Sequence, residues 1–554
     1  MRCSLRHAAC RCLFLLFSCA CQPLGELPLG DRTGGARGAG NVPGVAYQPL
    51  KSLDIPDTSV TEWELSLKQQ PGGPTLNDLE NDPGPANVNP VVLSGTLRER
   101  GSAELFPVKV HLRGHSTRLS PQKSYRITID KEATPWRGTR EVLLNKHPYD
   151  LTRVRNRLTF DLLQTLPELR APKTRFATLR IDGQARGFFT QVERIDKAWL
   201  ASRGLDAKGY LYKAEQFEFG LDESVMKTVG QAGYDKAAFE KVLQIDGRED
   251  HGRLQAMLRD VNDEGAPINT VMARHFDRAN YLTWLAFNIL TGNKDTNSQN
   301  FYLYAPQSGG AWQFIPWDFD AAWGLYDQPD FVANPANRLA RWQEGPANWW
   351  GVRLHRRFMS DTRNRQQLLE RMAQLGETFF SANRVRPLLD AYTPVLKKAI
   401  AEEPDRSGLP GATTNPDVAW AAEVARLAEV PRTHQSRFIE SLQRPMPFFL
   451  GQPVVTADGA SFTWDVSEDW QGDAVTYDFT LARDGSLQQV VASRRGLATT
   501  GYQHVGRLTP GRYYWQVMSR DSANPDQHWQ SAFDVLKLGD GQEPLSGAAF
   551  FDVP

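Results

Sequence analysis

Apolar and polar residues alternate with period two at Val108–Leu112, Ser124–Ile129, Phe176–Ile181 and Gly187–Val192, with Gly and Pro between the runs. Period two puts one set of side chains on one face of a strand. The spacing therefore predicts a β-rich unit from about Ser59 to Asp196. Within it, Arg153–Thr165 switches to helical spacing, with Val154, Leu158, Leu162 and Leu163 forming the apolar stripe. The second half changes period. Ile268–Leu290 reads as one long, mostly apolar helix stopped by Thr291-Gly292-Asn293, where Gly and Asn suit a helix C-terminus. Asn364–Gln374, Arg384–Glu402, Val418–Leu427 and Thr433–Leu442 also read as helices. From about Pro445 to Leu538 short alternating runs return at Ser461–Val466, Tyr477–Ala482 and Tyr513–Ser519. No solenoid-type repeat is present.

Candidate chemistry concentrates where the helical pattern gives way to a hairpin. Phe301–Tyr304 and Trp312–Pro316 are short aromatic and apolar runs separated by Ser308-Gly309-Gly310, a hairpin turn signal. In an antiparallel pair the start of one strand faces the end of the other, so Asn300 and Asp318 lie side by side, with Asp295 in the loop just ahead. Three oxygen-bearing side chains at one strand end suit Mg²⁺ or Mn²⁺, hard ions that also take up nucleotide phosphates. Protein kinases use the same order: a catalytic-loop Asp, a metal-binding Asn five residues on, a two-strand return and a second metal-binding Asp. Asp and Asn are also ordinary turn residues, and the D-x-x-x-x-N fragment alone is common. The hairpin and Trp317-Asp318-Phe319-Asp320 give it its weight.

Several cationic and acidic residues of the first unit stay open between two roles. Arg113, Lys123 and Arg126 lie on or between strands, and could hold phosphates or simply line a solvated strand edge. Glu193 could pair with Lys123 or with Lys213, as a kinase Glu pairs with its phosphate-binding Lys, or form a surface ion pair. Trp317 could stack on a base or pack the wall of a cleft. No GxGxxG phosphate loop and no HExxH zinc motif is present. Asp318 and Asp320 would share a face on a regular strand, which keeps a pair of hydrolytic carboxylates, as in glycosidases, as an alternative.

The segment Asn293–Asn300 with IPWDFDAAWG, the earlier VHLRGHSTRLSPQKSYRI, and FFTQVERID followed by YLYK resemble the CotH kinase family, atypical kinases first associated with bacterial spore coats. The likeness runs in order from about Ser59 to Gln443. It implies a bilobal kinase-like fold of the α+β class that uses ATP and Mg²⁺ (or Mn²⁺) to phosphorylate Ser or Thr of a coat or envelope protein. By position, Asp295 would be the catalytic Asp, Asn300 and Asp318 the metal ligands, and Arg113, Lys123, Arg126, Glu193, Lys213 and Trp317 the nucleotide-side candidates. His115 departs from the family's RGNSS-like pattern, whereas Arg113, Gly114 and Ser116 match. The C-terminal runs, with Leu508-Thr509-Pro510-Gly511 ahead of the last, resemble an immunoglobulin or fibronectin type III-like all-β sandwich. The expected order is a signal peptide over 1–21, a flexible Gly/Pro-rich linker over 22–58, the kinase-like domain over 59–443 and the sandwich over 445–540.

Composition narrows the partners. The 554 residues carry 64 Lys+Arg and 64 Asp+Glu, so net charge makes no case for nucleic acid or an anionic membrane surface. All five cysteines lie at or before Cys21, which excludes disulfides, Cys-ligated zinc and thiol catalysis from the rest. Arg2, Arg6 and Arg11 precede the apolar run CLFLLFS, the order of an export signal, and Leu16-Phe17-Ser18-Cys19 resembles a lipobox with Cys19 as the lipidated residue. No other segment approaches the roughly 20 apolar residues needed to span a bilayer. An exported envelope protein, anchored to the membrane only through such a lipid, is the expectation. Its non-enzymatic alternative is an adhesin or coat scaffold built on a kinase-like platform.

Overall fold

In the computed structural model, which describes residues 44–84, 90–114, 116–411, 415–539 and 541–554, the alternating segments of the first unit pair into a closed barrel. Its seven strands are β1 (Val60–Leu67), β2 (Leu93–Glu99), β3 (Phe106–Arg113), β4 (Ser124–Ile129), β5 (Glu141–Asn145), β6 (Thr174–Ile181) and β7 (Gln184–Val192). The order around the ring is β1-β2-β3-β4-β5-β7-β6, closed by a parallel pairing that sets Val60 beside Phe176 and Leu65 beside Ile181. Closure removes the free edges of an open sheet. Leu65, Val110, Leu112, Ile127 and Leu144 fill the interior. The alternate positions face outward: His111 lies opposite Arg126, Arg113 opposite Ser124, and Leu143 on β5 opposite Arg126. Leu143 is buried in the core of the part that follows, so this outer face is where the barrel meets it.

That second part is built on helices around a four-stranded sheet. Helix α1 (Arg155–Leu163) leaves the barrel, and β8 (Tyr210–Ala214), β9 (Leu243–Ile245), β10 (Phe301–Ala305) and β11 (Gln313–Pro316) pair in the order β11-β10-β8-β9. The expected single helix over 268–290 is two, α2 (Ile268–His275) and α3 (Arg278–Leu290). Phe276 is extended between them, Trp312 N–H donates to the His275 carbonyl at 2.7 Å, and Asp277 N–H donates to the Trp312 carbonyl at 3.0 Å. Asp277 then caps α3, its carboxylate accepting from Asn280 N–H at 3.1 Å. The apolar pattern runs across the break because Phe276 is buried whether or not it is helical. Asp277→Ala is expected to cost about 1 kcal/mol through the lost cap, read by urea unfolding. A loss under a quarter of that would mean that the cap does not secure α3.

Four further helices, Thr362–Gln374, Ala382–Ala401, Pro416–Leu427 and Val430–Ser441, lie where the periodicity put them. Among the described residues no helix is long and apolar enough to cross a membrane. The supposed linker is ordered in its described part, 44–58. Val45, Leu50 and Leu53 pack on the helical core, and the Arg371 guanidinium sits 3.7 Å from the Tyr47 ring centroid. One aromatic anchor and three aliphatic side chains are enough to dock a Gly/Pro-rich segment. The signal-like leader, Cys19 and His115 lie outside the described residues.

Past 445 the chain forms two larger sheets and a two-stranded one that pairs Val535–Leu536 with Leu545–Ser546. Of the larger two, one pairs Val454–Thr456, Gly459–Thr463 and Gly501–Val505; the other pairs Val490–Leu497, Val475–Ala482, Gly511–Asp521 and Trp529–Ser531, with Ala548–Val553 also on Gly511–Asp521. Phe462, Phe479, Leu481, Trp515 and Val517 form their common core. The Tyr513 hydroxyl donates to the Thr509 carbonyl at 3.1 Å, tying the Leu508-Thr509-Pro510-Gly511 corner to the strand it precedes.

Candidate active site

Helix α3 delivers the chain to the acidic loop through a turn that only glycine fits. Thr291 ends the helix, and Gly292 has φ +63, where a Cβ would lie 2.4 Å from His434 Nε2. Beyond Asp295 the hairpin opens as its sequence indicates. Phe301 pairs with Pro316 and Tyr304 with Gln313, which sets Asn300 and Asp318 at the open end. Both are held in the left-handed region, at φ +57 and +53. For a residue with a side chain that conformation costs about 1 kcal/mol or more, and Asn and Asp bear it best. Asn300 Nδ2 donates to Asp295 Oδ2 and to the Asp295 carbonyl, each at 2.9 Å, and Gln299 Nε2 donates to Asp295 Oδ1.

The electrostatics are those of crowded carboxylates short of cations. Burial pushes the Asp318 carboxyl up to about 7, the Asp320 charge adds to the rise, and Arg113 and His147 oppose it. Burial likewise raises Asp295 to about 6, again with a contribution from Asp320. Asp318 Oδ1 is sealed from solvent and has no hydrogen-bond partner. A lone oxygen of this kind costs free energy unless something positive meets it. The donor set of two carboxylates and an amide suits a hard divalent ion that also takes phosphate oxygens. Among the described residues no group of three or more His, Cys, Asp or Glu is placed to hold a metal ion.

Two residues of the site, His147 and Asn156, carry no sequence motif of their own. His147 Nδ1 lies 3.5 Å from Asp320 Oδ2, Asn156 Nδ2 is 3.4 Å from His147 Nε2, and Phe319 N–H donates to Asn156 Oδ1 at 3.2 Å. The segment after β5 and the start of α1 thus hold the Asp318–Asp320 turn from behind. Because β11 ends at Pro316 and Asp318 is left-handed, Asp318 and Asp320 are not on a regular strand. This removes the shared-face argument for a hydrolytic pair.

The remaining candidates divide. Arg113 sits at the cluster: its guanidinium bonds Asn145 Oδ1, lies 5.9 Å from the Trp317 ring and faces the Asp318 charge. Trp317 is buried, edge-on to Tyr302 at 5.5 Å, a packed wall. Arg126 grips Glu141 through two hydrogen bonds of 2.7 and 3.0 Å, and Glu141 also accepts from Arg194, whose other nitrogen is 3.3 Å from Asp246. Lys213 is bonded to Glu215 and lies beside Tyr302 in the sheet. Burial raises Asp246 while Arg194, Lys213 and Arg126 pull it down, so these groups form one charged surface running from the barrel face to β8. Lys123 is elsewhere, donating to the Arg118 carbonyl at 2.6 Å. Neither expected Glu193 pair forms: Glu193 binds Arg203 and the Lys173 N–H. Its neighbour Arg194 takes the inward direction, since side chains alternate along extended chain and Glu193 points the other way.

A family model described as CotH kinase protein matches residues 110–434, more than half of the chain. Inner spore coat protein H of Bacillus subtilis (strain 168) is 32% identical over 222 residues, which is 39% of this chain and 59% of that relative. The match spans less than two thirds of the relative's length. Among solved structures, the Helicobacter pylori proinflammatory kinase CtkA aligns over 54% of this chain and 94% of its own at 12% identity and a TM-score of 0.27. The HipA–HipB–operator complex of Shewanella oneidensis MR-1 aligns over 68% and 73% at 16% identity and 0.23. Superpositions that loose carry no argument about mechanism.

Proposed function

Because the chain belongs to the CotH kinase protein family, we propose that it is an atypical protein kinase that transfers the γ-phosphate of ATP to a Ser or Thr hydroxyl of a coat or envelope protein. The observation that carries this reading is the convergence of Asp295, Asn300 and Asp318 at the hairpin's open end, with Asp318 Oδ1 buried and unpartnered. In the proposal the barrel and the helical part are the two lobes, and Arg113 on the barrel's outer face closes the site over Asp318. Asp295, oriented by Asn300 and Gln299, accepts the proton of the acceptor hydroxyl. Its raised proton affinity makes it a stronger base than an exposed carboxylate, which suits that task. Asn300 and Asp318 would hold Mg²⁺ or Mn²⁺, which when bound gathers the negative charge of the β- and γ-phosphates. Arg126 and Arg194 would line the approach from the barrel side and Lys213 from β8. The coat or envelope acceptor follows from the likeness to a spore coat protein and is part of the proposal. The two larger C-terminal sheets, packed on one core, and the Tyr513 corner support a fibronectin type III-like module.

Thermal unfolding with ATP and Mg²⁺ tests the nucleotide claim directly. At about 100 times Kd, binding adds about 2.7 kcal/mol to the folded state, visible as a higher Tm than with Mg²⁺ alone. No increment over Mg²⁺ alone, across millimolar ATP, ends the kinase reading and leaves a binding platform.

A further inference from the structure

The helix Ala347–Trp350, here α4, is gripped from two sides. On one side stands the C-terminal module. Trp470 meets Trp350 edge-on at 5.6 Å, lies under the Arg365 guanidinium at 4.4 Å and packs on the helical core. Just upstream, Trp342 meets Phe533 edge-on at 5.3 Å, and the Arg341 guanidinium covers Trp529 at 4.0 Å while donating to the Gln527 carbonyl at 2.7 Å. Aromatic and cation–aromatic contacts of this kind favour one geometry over others. The module is therefore seated, not strung on a free linker.

On the other side stands the loop that carries Asp295. The Asn348 carbonyl accepts from Asn297 Nδ2 at 2.9 Å. His355 Nε2 faces the Asn297 carbonyl at 3.2 Å, so it carries the proton and donates, and Nδ1 accepts from the Tyr281 hydroxyl at 2.8 Å. Trp349 closes on both Trp284 and His355, edge-on at 5.8 and 5.3 Å. Lys294, the residue before Asp295, lies 3.8 Å from Glu344, and Glu344 lies 4.0 Å from Arg444, just ahead of the C-terminal module. One four-residue helix and its flanks thus carry contacts to both.

We propose that the C-terminal module braces the Asp295 loop through α4, so that seating or unseating the module sets the order of residues 293–299. A partner that grips the module would then act on the site without touching it. Its consequence for phosphoryl transfer rests on the reading above, but the coupling itself does not, because it is measured without nucleotide or acceptor. The experiment is hydrogen exchange on the full chain, comparing wild type with Trp470→Ala and with Arg341→Ala. Trp470→Ala is expected to speed exchange by roughly tenfold at 347–352 and at 293–299, with strand β4 of the barrel unchanged. Arg341→Ala removes no core side chain and should give the same pattern, weaker. Faster exchange in β4 as well would mark Trp470→Ala as a folding defect and leave the decision to Arg341→Ala. Wild-type exchange at 293–299 in both variants, or in Arg341→Ala alone where Trp470→Ala misfolds, overturns the proposal, whatever 347–352 does.

Discussion

Asp295→Ala is expected to lower phosphoryl transfer by on the order of 10² or more while leaving Mg·ATP affinity within about threefold. The two effects separate because the groups around Asp295 differ in task. Its carboxylate is oriented by Asn300 Nδ2 and Gln299 Nε2 and sits in the loop after α3, where an acceptor hydroxyl would approach. The metal-side oxygens belong to the hairpin end. Removing the Asp295 carboxylate deletes the proton acceptor and relieves some repulsion on Asp318, whose proton affinity it helps to raise. Metal·nucleotide binding therefore has little reason to weaken. Transfer of labelled phosphate and ATP affinity are measured on the same preparation, with circular dichroism to establish the fold. Full transfer by a folded Asp295→Ala protein would remove the base from the scheme.

What was legible in advance follows from how local each determinant is. The hairpin was readable because two alternating runs and a Gly-containing turn fix register within twenty-odd residues, and register alone brings Asn300 to Asp318. Helix positions along 362–441 came from period alone. The break at Phe276 was not readable, since it depends on Trp312, a residue distant in sequence, supplying the backbone partners. Barrel closure was hidden for the same reason: β1 meets β6 across more than a hundred residues. Glu193 and Arg194 lie just beyond the end of β7, where alternation tells that two neighbours point apart but not which one faces the site. Lys123 has no phase to read, because it lies just ahead of β4. His147 and Asn156 carried no signal, as their role is to meet a turn more than 150 residues away. Asp320 did carry one, its spacing of two from Asp318, but that spacing suggested a strand pair where the chain instead turns.

Asp318→Asn is expected to stabilise the protein at pH 8 and to abolish its response to Mg·ATP. The sign follows from burial. The Asp318 carboxyl titrates near 7 in the folded state, above its ordinary value of about 3.9 in an unfolded chain. Between those values the folded protein holds a proton that the unfolded chain has released, so stability falls as pH rises from about 4 to 7, and the loss is complete above 7. Asn carries no charge to bury and escapes that penalty. Its Tm should exceed that of wild type by roughly 2–6 °C at pH 8, with the gap closing as pH falls toward 4, where Asp318 is neutral in both states. Adding ATP and Mg²⁺ at pH 8 should narrow or reverse the order, because only wild type offers the carboxylate oxygen the cation needs. A variant less stable than wild type at pH 8 would mean that the buried charge is already compensated within the fold. A variant that keeps its full Mg·ATP shift would place the metal elsewhere. A native protein that tolerates a buried carboxylate oxygen with no hydrogen-bond partner spends stability on it, and the proposed use for that oxygen is the cation of a bound nucleotide.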